Sequence, residues 1–312
     1  MPHVHRDIPV ATGKGDKTVP GSARIATTNR TPAGSTCVTG SDGAEVGREP
    51  GATGTPSGGR PGRETFVDPH VKVLNERVVD RAKARDLDVL VYAPHFTRLP
   101  EIRARAERFS DDDLLVVPGR EVFTGTWRNR RHILAVGLSE PVPDFVSLPG
   151  ALAAFDRQDA AVLVPHPDFL NVSLDRAAVT RHADAIHAVE THNFKTLPRG
   201  NRRARELARE TGLLAFGSSY AHLGGSVGEV WTAFEREIDS ESDLVAALRT
   251  GAPRRVLRRD SPAHTLRGIA EFAHLGYENT WGKVDRLFLS GTEPTHPGHV
   301  AYEGRFDDVR EY

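Results

Sequence analysis

The apolar run Leu-Leu-Val-Val-Pro-Gly-Arg-Glu-Val, residues 114–122, ends in an acidic side chain, Glu121. The run is short, branched and uninterrupted, which is typical of a buried parallel strand. Similar runs recur along the chain, and five of them have a histidine at their edge: His70, His95, His132, His166 and His222. Strand ends of an α/β barrel converge on one face. We therefore expect these six side chains to meet.

Strands alternate with helices from about residue 64 onward. Helical spacing of apolar residues fills most of the intervals between the runs, which favours a parallel α/β architecture and most simply a barrel. A doubly wound open sheet would bring fewer strand ends to one place. The predicted strands cover residues 87–93, 114–117, 133–137, 160–165, 185–190, 213–218 and 229–234.

The two ends of the chain differ in composition from this middle part. Residues 1–63 are rich in Gly, Thr, Ser and Pro, and such a segment buries too little apolar surface to offset its ordering entropy. We expect a disordered tail over 1–63 and a barrel over 64–258. Residues 259–312 are predicted to form a C-terminal helix, spanning 263–281, and an extended tail, both packed on the barrel. Its apolar anchors would be Phe272, Leu275 and Trp281.

Charge and cysteine content exclude several classes of protein. Lys and Arg number 41 against 42 Asp and Glu, so nothing indicates strong nonspecific binding to nucleic acid or membranes. The single cysteine excludes an internal disulfide framework and cysteine-based zinc fingers. No membrane span or signal peptide is visible in the sequence, and we expect a cytoplasmic location.

Imidazole and carboxylate ligands suit zinc, manganese or iron. One histidine at a strand end is more often structural, so histidines packed as a metal-free polar core remain an alternative. Five such histidines with one glutamate favour a site for divalent metal ions, one or two in number. Metal ions placed in this way could activate water and clamp a phosphoryl oxygen.

Six short motifs occur in an order that resembles the PHP (polymerase and histidinol phosphatase) family. The resemblance runs from about Phe66 to Val256 and implies a distorted (β/α)7 barrel, up to three metals and phosphoesterase activity. The motifs are Asp-Pro-His-Val at 68–71, Pro-His at 94–95, Pro-Gly-Arg-Glu-Val at 118–122, His-Ile-Leu-Ala-Val-Gly at 132–137, Pro-His-Pro at 165–167 and Gly-Ser-Ser-Tyr-Ala-His at 217–222.

The chain departs from the family pattern at three positions. Lys72 replaces the second histidine of the opening motif, Pro94 replaces an aspartate, and Tyr220 replaces the closing aspartate. The resemblance implies that the first and the last of these belong to one metal site. A protonated lysine donates hydrogen bonds and cannot ligate a cation.

Two interpretations of these departures remain open. In the first, the Lys72 ammonium takes the place of a metal and binds phosphate, Tyr220 donates to the same oxyanion, and both act with Glu121 in a metal-dependent hydrolysis of phosphate esters. In the second, the protein is a catalytically degenerate member that binds a metal or a ligand. A role as an RNA-processing subunit is a third and weaker alternative.

The resemblance implies that Glu121, His132 and His166 hold one metal. His95 and His222 would hold a second metal or position phosphate. Arg128, Arg130 and Arg131 are candidates for phosphate recognition, or else belong to a solvated loop. Glu190 is expected to orient a ligand histidine, and His192 to line the same pocket. The expected partner is a small phosphorylated substrate or a nucleotide; nucleic acid is not favoured, and no membrane is expected.

Overall fold

A computed structural model describes residues 64–126, 128–168, 172–277 and 280. The predicted tail at 1–63 lies outside these residues, as do residues 281–312, which include the predicted extended C-terminal tail. The strands occupy residues within the predicted 64–258, whereas the three-part division of the chain stays a prediction. None of the described helices is long and apolar enough to cross a membrane.

The described residues form one sheet of nine strands in the order β7-β6-β5-β4-β3-β2-β1-β8-β9. Its curvature brings β7 close to β1, β8 and β9. The predicted α/β barrel is thus confirmed as a nearly closed sheet. The strands are β1 Thr65–Val71, β2 Val89–Tyr92, β3 Leu115–Thr124, β4 Arg131–Val136, β5 Ala161–Val164, β6 Ala188–Asn193, β7 Leu214–Ser218, β8 Val230–Phe234 and β9 Arg254–Arg258.

The sheet is mixed, with two parallel blocks joined by a hairpin. Strands β1, β2 and β3 are parallel, as are β5, β6 and β7. Strand β4 pairs antiparallel with both β3 and β5 because a short turn, and no helix, separates β3 from β4. Strands β8 and β9 add a further antiparallel pair beside β1. The parallel architecture favoured by the sequence therefore holds within the two blocks and not at β4, β8 and β9.

Side chains complete the closure of the sheet between β7 and its neighbours. The Thr232 hydroxyl accepts a hydrogen bond from the Gly217 amide and donates one to the Gly217 carbonyl, both at 3.0 Å. At the site end, the Asp68 carboxylate accepts the amide hydrogens of Ser219 at 3.0 Å and Gly228 at 3.1 Å. The seam between the two ends of the sheet thus depends on a few specific contacts.

Seven helices surround the sheet in the described part of the chain. Four begin at a residue whose side chain accepts a backbone amide of the first turn, namely Asn75, Ser147, Asp175 and Ser240. Gly212 directly follows helix α5, and its φ of +71° is the left-handed conformation that glycine favours at the end of a helix. The helices are α1 Glu76–Lys83, α2 Leu99–Phe109, α3 Leu148–Asp156, α4 Arg176–Arg181, α5 Pro198–Thr211, α6 Glu241–Arg249 and α7 Pro262–Tyr277.

The apolar core has three parts that hold the sheet rigid. One is built on branched residues of the central strands, such as Val67, Val91, Val117 and Leu134. The other two are clusters that include Phe155 in α3 and Ile102 in α2. This packing fixes the strand ends from which the candidate site is built.

Helix α7 differs in part from its prediction. Its described residues end at Tyr277, and Trp281 lies outside the described part of the chain. Leu275 is buried as expected, but Phe272 is 52% exposed and does not anchor the helix. Buried Glu271 instead forms an ion pair with buried Lys195 at 3.1 Å. A charged residue on the inner face of α7 was not predicted because the helical spacing shows only the apolar positions.

Candidate metal centre

The six predicted ligand residues lie at one end of the sheet. His70 lies near the end of β1, His95 follows β2, and His166 and His222 follow β5 and β7. Glu121 and His132 lie diagonally across the β3–β4 hairpin, where His132 pairs with Phe123. All are buried except His95, which is partly exposed. The parallel blocks bring their carboxyl ends together, as in other α/β barrels.

The Glu121 carboxylate lies at the centre of the group. Oε1 is 3.3 Å from Nε2 of His70 and 3.2 Å from Nε2 of His132. Oε2 is 2.7 Å from Nδ1 of His95. His166 is farther away, with its Nε2 3.9 Å from Oε1. The oxygens of one carboxylate thus lie 2.7 to 3.9 Å from the nitrogens of four imidazoles.

These residues form two possible ligand groups that share Glu121. One contains His70 and His166, and the other contains His95 and His132. The family resemblance implies that His132 and His166 hold one metal together with Glu121, whereas here they fall into different groups, with their Nε2 atoms 3.3 Å apart. His222 belongs to neither group; its ring centroid is 6.1 Å from that of His95 and 4.9 Å from that of Tyr220.

Lys72 is buried next to Glu121. Its ammonium donates to Oε2 of Glu121 and, at 2.7 Å, to the carbonyl of Ala93. Its backbone amide donates to the carbonyl of Ala221 at 2.9 Å. Burial lowers the pKa of Lys72, and the adjacent Glu121 opposes that shift. The ammonium is therefore held inside the ligand group by a carboxylate that also faces the histidines.

Burial makes the imidazoles of the site weak bases. It lowers the pKa of His70 and His132 to about 3 and that of His95 to about 4, and Lys72 reinforces the effect at His70 and His95. The pKa of His166 lies well below its usual value, again because of burial. Neutral imidazole is the form that ligates metals, so these side chains are in the right state at neutral pH.

Glu121 has the opposite balance. Burial raises its pKa, but the surrounding His132, Lys72 and His95 outweigh burial, so the pKa lies well below its usual value. The carboxylate is therefore ionised at neutral pH. An ionised carboxylate among neutral imidazoles offers the oxygen and nitrogen donors that suit a divalent transition metal.

Tyr220 covers the group from the β7 side. Its ring lies 4.7 Å from the ring of His70 and 4.5 Å from that of His166, and the ammonium of Lys72 is 5.6 Å from its centroid. Tyr220 and His166 have φ values of +46° and +30°, which bulky residues adopt rarely. Such backbone strain clusters at functional sites.

The three predicted phosphate-binding arginines are placed differently. Arg130 lies over the Phe123 ring at 5.8 Å and its charge lowers the pKa of His132. Arg128 is exposed in the β3–β4 turn. Arg131 donates to the carbonyl of Arg130 at 3.1 Å. Of the three, Arg130 has the clearest contact with the ligand residues.

Glu190 and His192 diverge although they are close in sequence. Glu190 accepts the backbone amide of His166 at 2.6 Å and the side-chain amide of Asn193 at 2.9 Å. It thus contacts the main chain of a predicted ligand and not its imidazole. His192 lines a separate cavity beside α7. A bulge in the pairing of β6 with β7 between these two residues accounts for the divergence.

Three residues near the group were not predicted. Ser173 lies 2.8 Å from Nδ1 of the His166 imidazole, Asp68 holds the seam behind His70, and Lys195 lies 4.5 Å from the centroid of the Tyr220 ring. Ser173 is in a loop without periodicity, and Lys195 follows a strand among polar residues. Of the three, only Asp68 could have been found from the sequence, because it is part of the Asp-Pro-His-Val motif.

The residues present fit a divalent metal. Nε2 of His70 and Oε1 of Glu121, which are 3.3 Å apart, are buried and make no hydrogen bond with the described residues. Buried polar atoms normally have a partner, and these atoms point into the ligand group. Neutral imidazoles and one carboxylate within ligand reach support the use of a divalent metal at this site.

Comparison with protein families gives one match. Residues 198–253, from α5 to the end of the segment after α6, match the family model PHP_C, described as PHP-associated. The match confirms the predicted relationship to the PHP family. No curated protein matches the sequence.

Several solved structures are similar to this chain at low sequence identity. PsfC from Pseudomonas syringae PB-5123 has 19% identity and a TM-score of 0.52, and the match covers 68% of this chain and 99% of PsfC. A two-domain protein containing a predicted PHP-like metal-dependent phosphoesterase, from Bacteroides vulgatus ATCC 8482, has 16% identity, coverages of 68% and 71%, and a TM-score of 0.46. The lesion-specific endonuclease PfuEndoQ from Pyrococcus furiosus has 12% identity, coverages of 62% and 58%, and a TM-score of 0.48. At these identities the likeness to PsfC shows a shared fold.

Proposed function

We propose that the protein is a metal-dependent hydrolase of phosphate esters. The observation that carries the proposal is the position of Glu121, a buried and ionised carboxylate that faces four neutral imidazoles at the strand ends of the barrel. Such a donor set has little structural use by itself. The expected substrate is a small phosphorylated compound or a nucleotide.

Zinc, manganese or iron, as one or two ions, would be held by Glu121 with His70 and His166 or with His95 and His132. A metal bound there supplies a Lewis acid and lowers the pKa of a water molecule. Ser173 contacts the His166 ring, and Glu190 fixes its backbone amide, so this ligand is held in one orientation.

Lys72 and Tyr220 are proposed to act on the phosphate. Lys72 keeps Glu121 in place and presents a positive charge within the ligand group, where charge on a phosphoryl oxygen would be stabilised. The Tyr220 hydroxyl is proposed to donate to the same oxygen. Arg130, which lies over Phe123 beside His95, would add a further positive charge.

A binding protein without catalytic activity is the second candidate. One observation favours it: the Lys72 ammonium donates to Oε2 of Glu121, the oxygen that also faces His95. A carboxylate oxygen that is shared with an ammonium is a weaker metal ligand. The metal would then be bound without the arrangement needed for hydrolysis.

Metal content and turnover together test the proposal. The purified protein should contain at least one tightly bound divalent ion and should hydrolyse a phosphomonoester or phosphodiester when manganese or zinc is supplied. Glu121→Gln should lose most of the metal and lower kcat/KM by at least about 100-fold, because the charged donor shared by both ligand groups is removed.

Glu237→Gln is the matched control, since Glu237 is exposed and lies outside the site. It should keep both metal and activity. A metal-loaded protein that hydrolyses no phosphoester in a broad panel would support the binding protein instead. A folded protein that takes up no divalent ion would rule out both candidates.

A further inference from the structure

A second cavity lies beside the metal centre, in the angle between α5 and α7. Its volume is about 770 Å³, which is within the range of small-molecule sites. The loop that follows β6 and the end of β9 also line it. The metal ligands and the proposed catalytic residues do not line it; its lining includes His192, Phe194, Lys195, Arg205, Arg258 and His264.

The cavity is strongly one-sided in charge. Three cationic side chains, Lys195, Arg205 and Arg258, line it together with two histidines, and no Asp or Glu is among its lining residues. Arg205 and Arg258 are exposed. The Arg258 guanidinium is 3.8 Å from the Asp260 carboxylate, beyond hydrogen-bond distance, so its donors are available. An anion entering the cavity would meet no carboxylate on its walls.

The pKa of His192, which lines the cavity, is affected by the same positive charges. Burial, together with the charges of Arg258 and Arg205, lowers its pKa to about 4. The imidazole is therefore neutral at physiological pH and offers a hydrogen-bonding group without adding to the charge. The two arginines supply the positive charge, and each has the planar fork that binds phosphate in two-point fashion.

Other residues that line the cavity are apolar, and two of them are aromatic. Phe194 is buried, whereas Ile269 and Phe272 of α7 are 63% and 52% exposed at the cavity. The Phe194 ring packs edge-to-face on His264 at 4.7 Å, and His264 is held by Glu229 at 2.7 Å. A rigid aromatic wall next to exposed apolar side chains is suited to a flat ring system.

We propose that this cavity binds a small molecule in which a phosphate is attached to an aromatic ring system, with the size of a nucleoside monophosphate. Arg205 and Arg258 bind the phosphate, and the ring lies between Phe194 and Phe272. The combination of two arginines with an aromatic wall in one cavity selects this chemistry over a bare anion or a purely apolar ligand.

The cavity is distinct from the metal centre but adjoins it. Lys195 separates the two: its ammonium is 3.1 Å from the Glu271 carboxylate and 4.5 Å from the centroid of the Tyr220 ring. Tyr220 in turn packs on His70. The proposal does not rest on the proposed hydrolase function, because ligand binding in this cavity requires neither metal nor turnover.

Binding of AMP, measured by isothermal titration calorimetry on the full chain, tests the proposal. AMP should bind at least about tenfold more tightly than inorganic phosphate or adenosine. Arg205→Gln and Arg258→Gln should each weaken binding by about tenfold or more, because each removes charge-assisted hydrogen bonds to the phosphate. Phe272→Ala should weaken AMP binding by about threefold to tenfold while leaving phosphate binding unchanged.

Two controls separate this cavity from the metal centre. Arg209→Gln removes an exposed arginine of α5 that does not line the cavity, and it should leave AMP affinity unchanged. Glu121→Gln, whose metal centre is disabled, should still bind AMP in the cavity, with an affinity that depends on Arg205 and Arg258. The proposal is overturned if AMP does not bind, if phosphate binds as tightly as AMP, or if Glu121→Gln abolishes AMP binding while Arg205→Gln and Arg258→Gln do not.

Discussion

Lys72 and Glu121 form a buried ion pair within a group of metal-ligating side chains. A buried pair is stable only when further hydrogen bonds offset the cost of removing both charges from water. Here the Ala93 carbonyl accepts a second hydrogen bond from Lys72, and His70, His95 and His132 surround Glu121. The pair therefore belongs to a larger polar network, and removing either member would leave the other charge buried.

Restoring the family residues at positions 72 and 220 should add a metal. The double variant Lys72→His, Tyr220→Asp replaces an ammonium donor and a phenol by an imidazole and a carboxylate, both of which ligate cations. We expect it to bind one more divalent ion per chain than the wild type does, as measured by mass spectrometry of metal content.

The single variant Lys72→His is the control for this experiment. It lacks the added carboxylate and should gain less metal than the double variant does. If a folded double variant has the metal content of the wild type, Lys72 does not stand in the place of a metal.

The residues of the site were predictable to the extent that they stand at strand ends. His70, His95, His132 and His166 come together because each lies at or just beyond the end of a buried strand, whereas Glu121 lies inside β3, which continues to Thr124. Side-chain direction was less predictable. Residues 190 and 192 would share one face of a regular strand, but the bulge in β6 directs Glu190 to the His166 amide and His192 to the cavity.

Strand β7 shows how closely the barrel elements approach at the seam. A Cβ built on Gly217 would lie 2.3 Å from Cγ1 of Val256, 3.0 Å from Cγ1 of Val230 and 3.2 Å from the carbonyl oxygen of His192. No side chain fits there without moving β8, β9 or the backbone of β6. Glycine is therefore required at this position.

Gly217→Ala should lower the free energy of unfolding by about 1–3 kcal/mol, because the added methyl group overpacks the seam. Urea denaturation followed by circular dichroism measures the change. Gly276→Ala is the control, since a Cβ at Gly276 meets nothing within 4 Å and alanine favours a helix. Equal stability of Gly217→Ala and the wild type would show that the seam is looser than described.

The elements were predicted well where a helix separates two strands and less well elsewhere. Periodicity located the strands that became β2 and β5, since each is a short apolar run bounded by helices. The antiparallel direction of β4 could not be predicted from local pattern, because the turn after β3 has no hairpin signature. Strand β9 was missed because its sequence, Arg254–Arg258, is mostly charged.

On the scale of the whole molecule, two polar clusters attach α7 to the barrel. Buried Glu229, which precedes β8, accepts from Arg85, from Arg267 at 2.8 Å and from His264 at 2.7 Å. Two of these partners, His264 and Arg267, belong to α7. The second cluster is the pair of Lys195 and Glu271. Helix α7 is thus held by charges, while much of its apolar surface faces the cavity and the solvent.

Stability in acid should depend on Glu229. Burial raises its pKa, but Arg85 and His264 outweigh burial, so the pKa in the folded protein lies below its usual value. The stabilisation from this carboxylate is therefore present above the pKa of the unfolded chain, about 4.3, and is lost as pH falls through the lower folded pKa.

Glu229→Gln should lower the free energy of unfolding at pH 7. Between about pH 5 and pH 3, the free energy of unfolding should decrease less in this variant than in the wild type. Urea titrations at several pH values measure this dependence. Glu237→Gln, at an exposed position, should follow the wild-type curve. Parallel curves for Glu229→Gln and the wild type would mean that Glu229 does not contribute to acid unfolding.

The seam at Asp68 also bears on the order in which the protein folds. The Asp68 carboxylate accepts hydrogen bonds from residues that are 151 and 160 positions farther along the chain, so these contacts close long loops of the barrel. Such closures carry a large entropic cost and form late. His70 lies on one side of the seam, and Tyr220 and His222 lie on the other. A partly folded chain would therefore carry most of the secondary structure before it could recognise a metal, and the ligand pocket would be the last part of the molecule to mature.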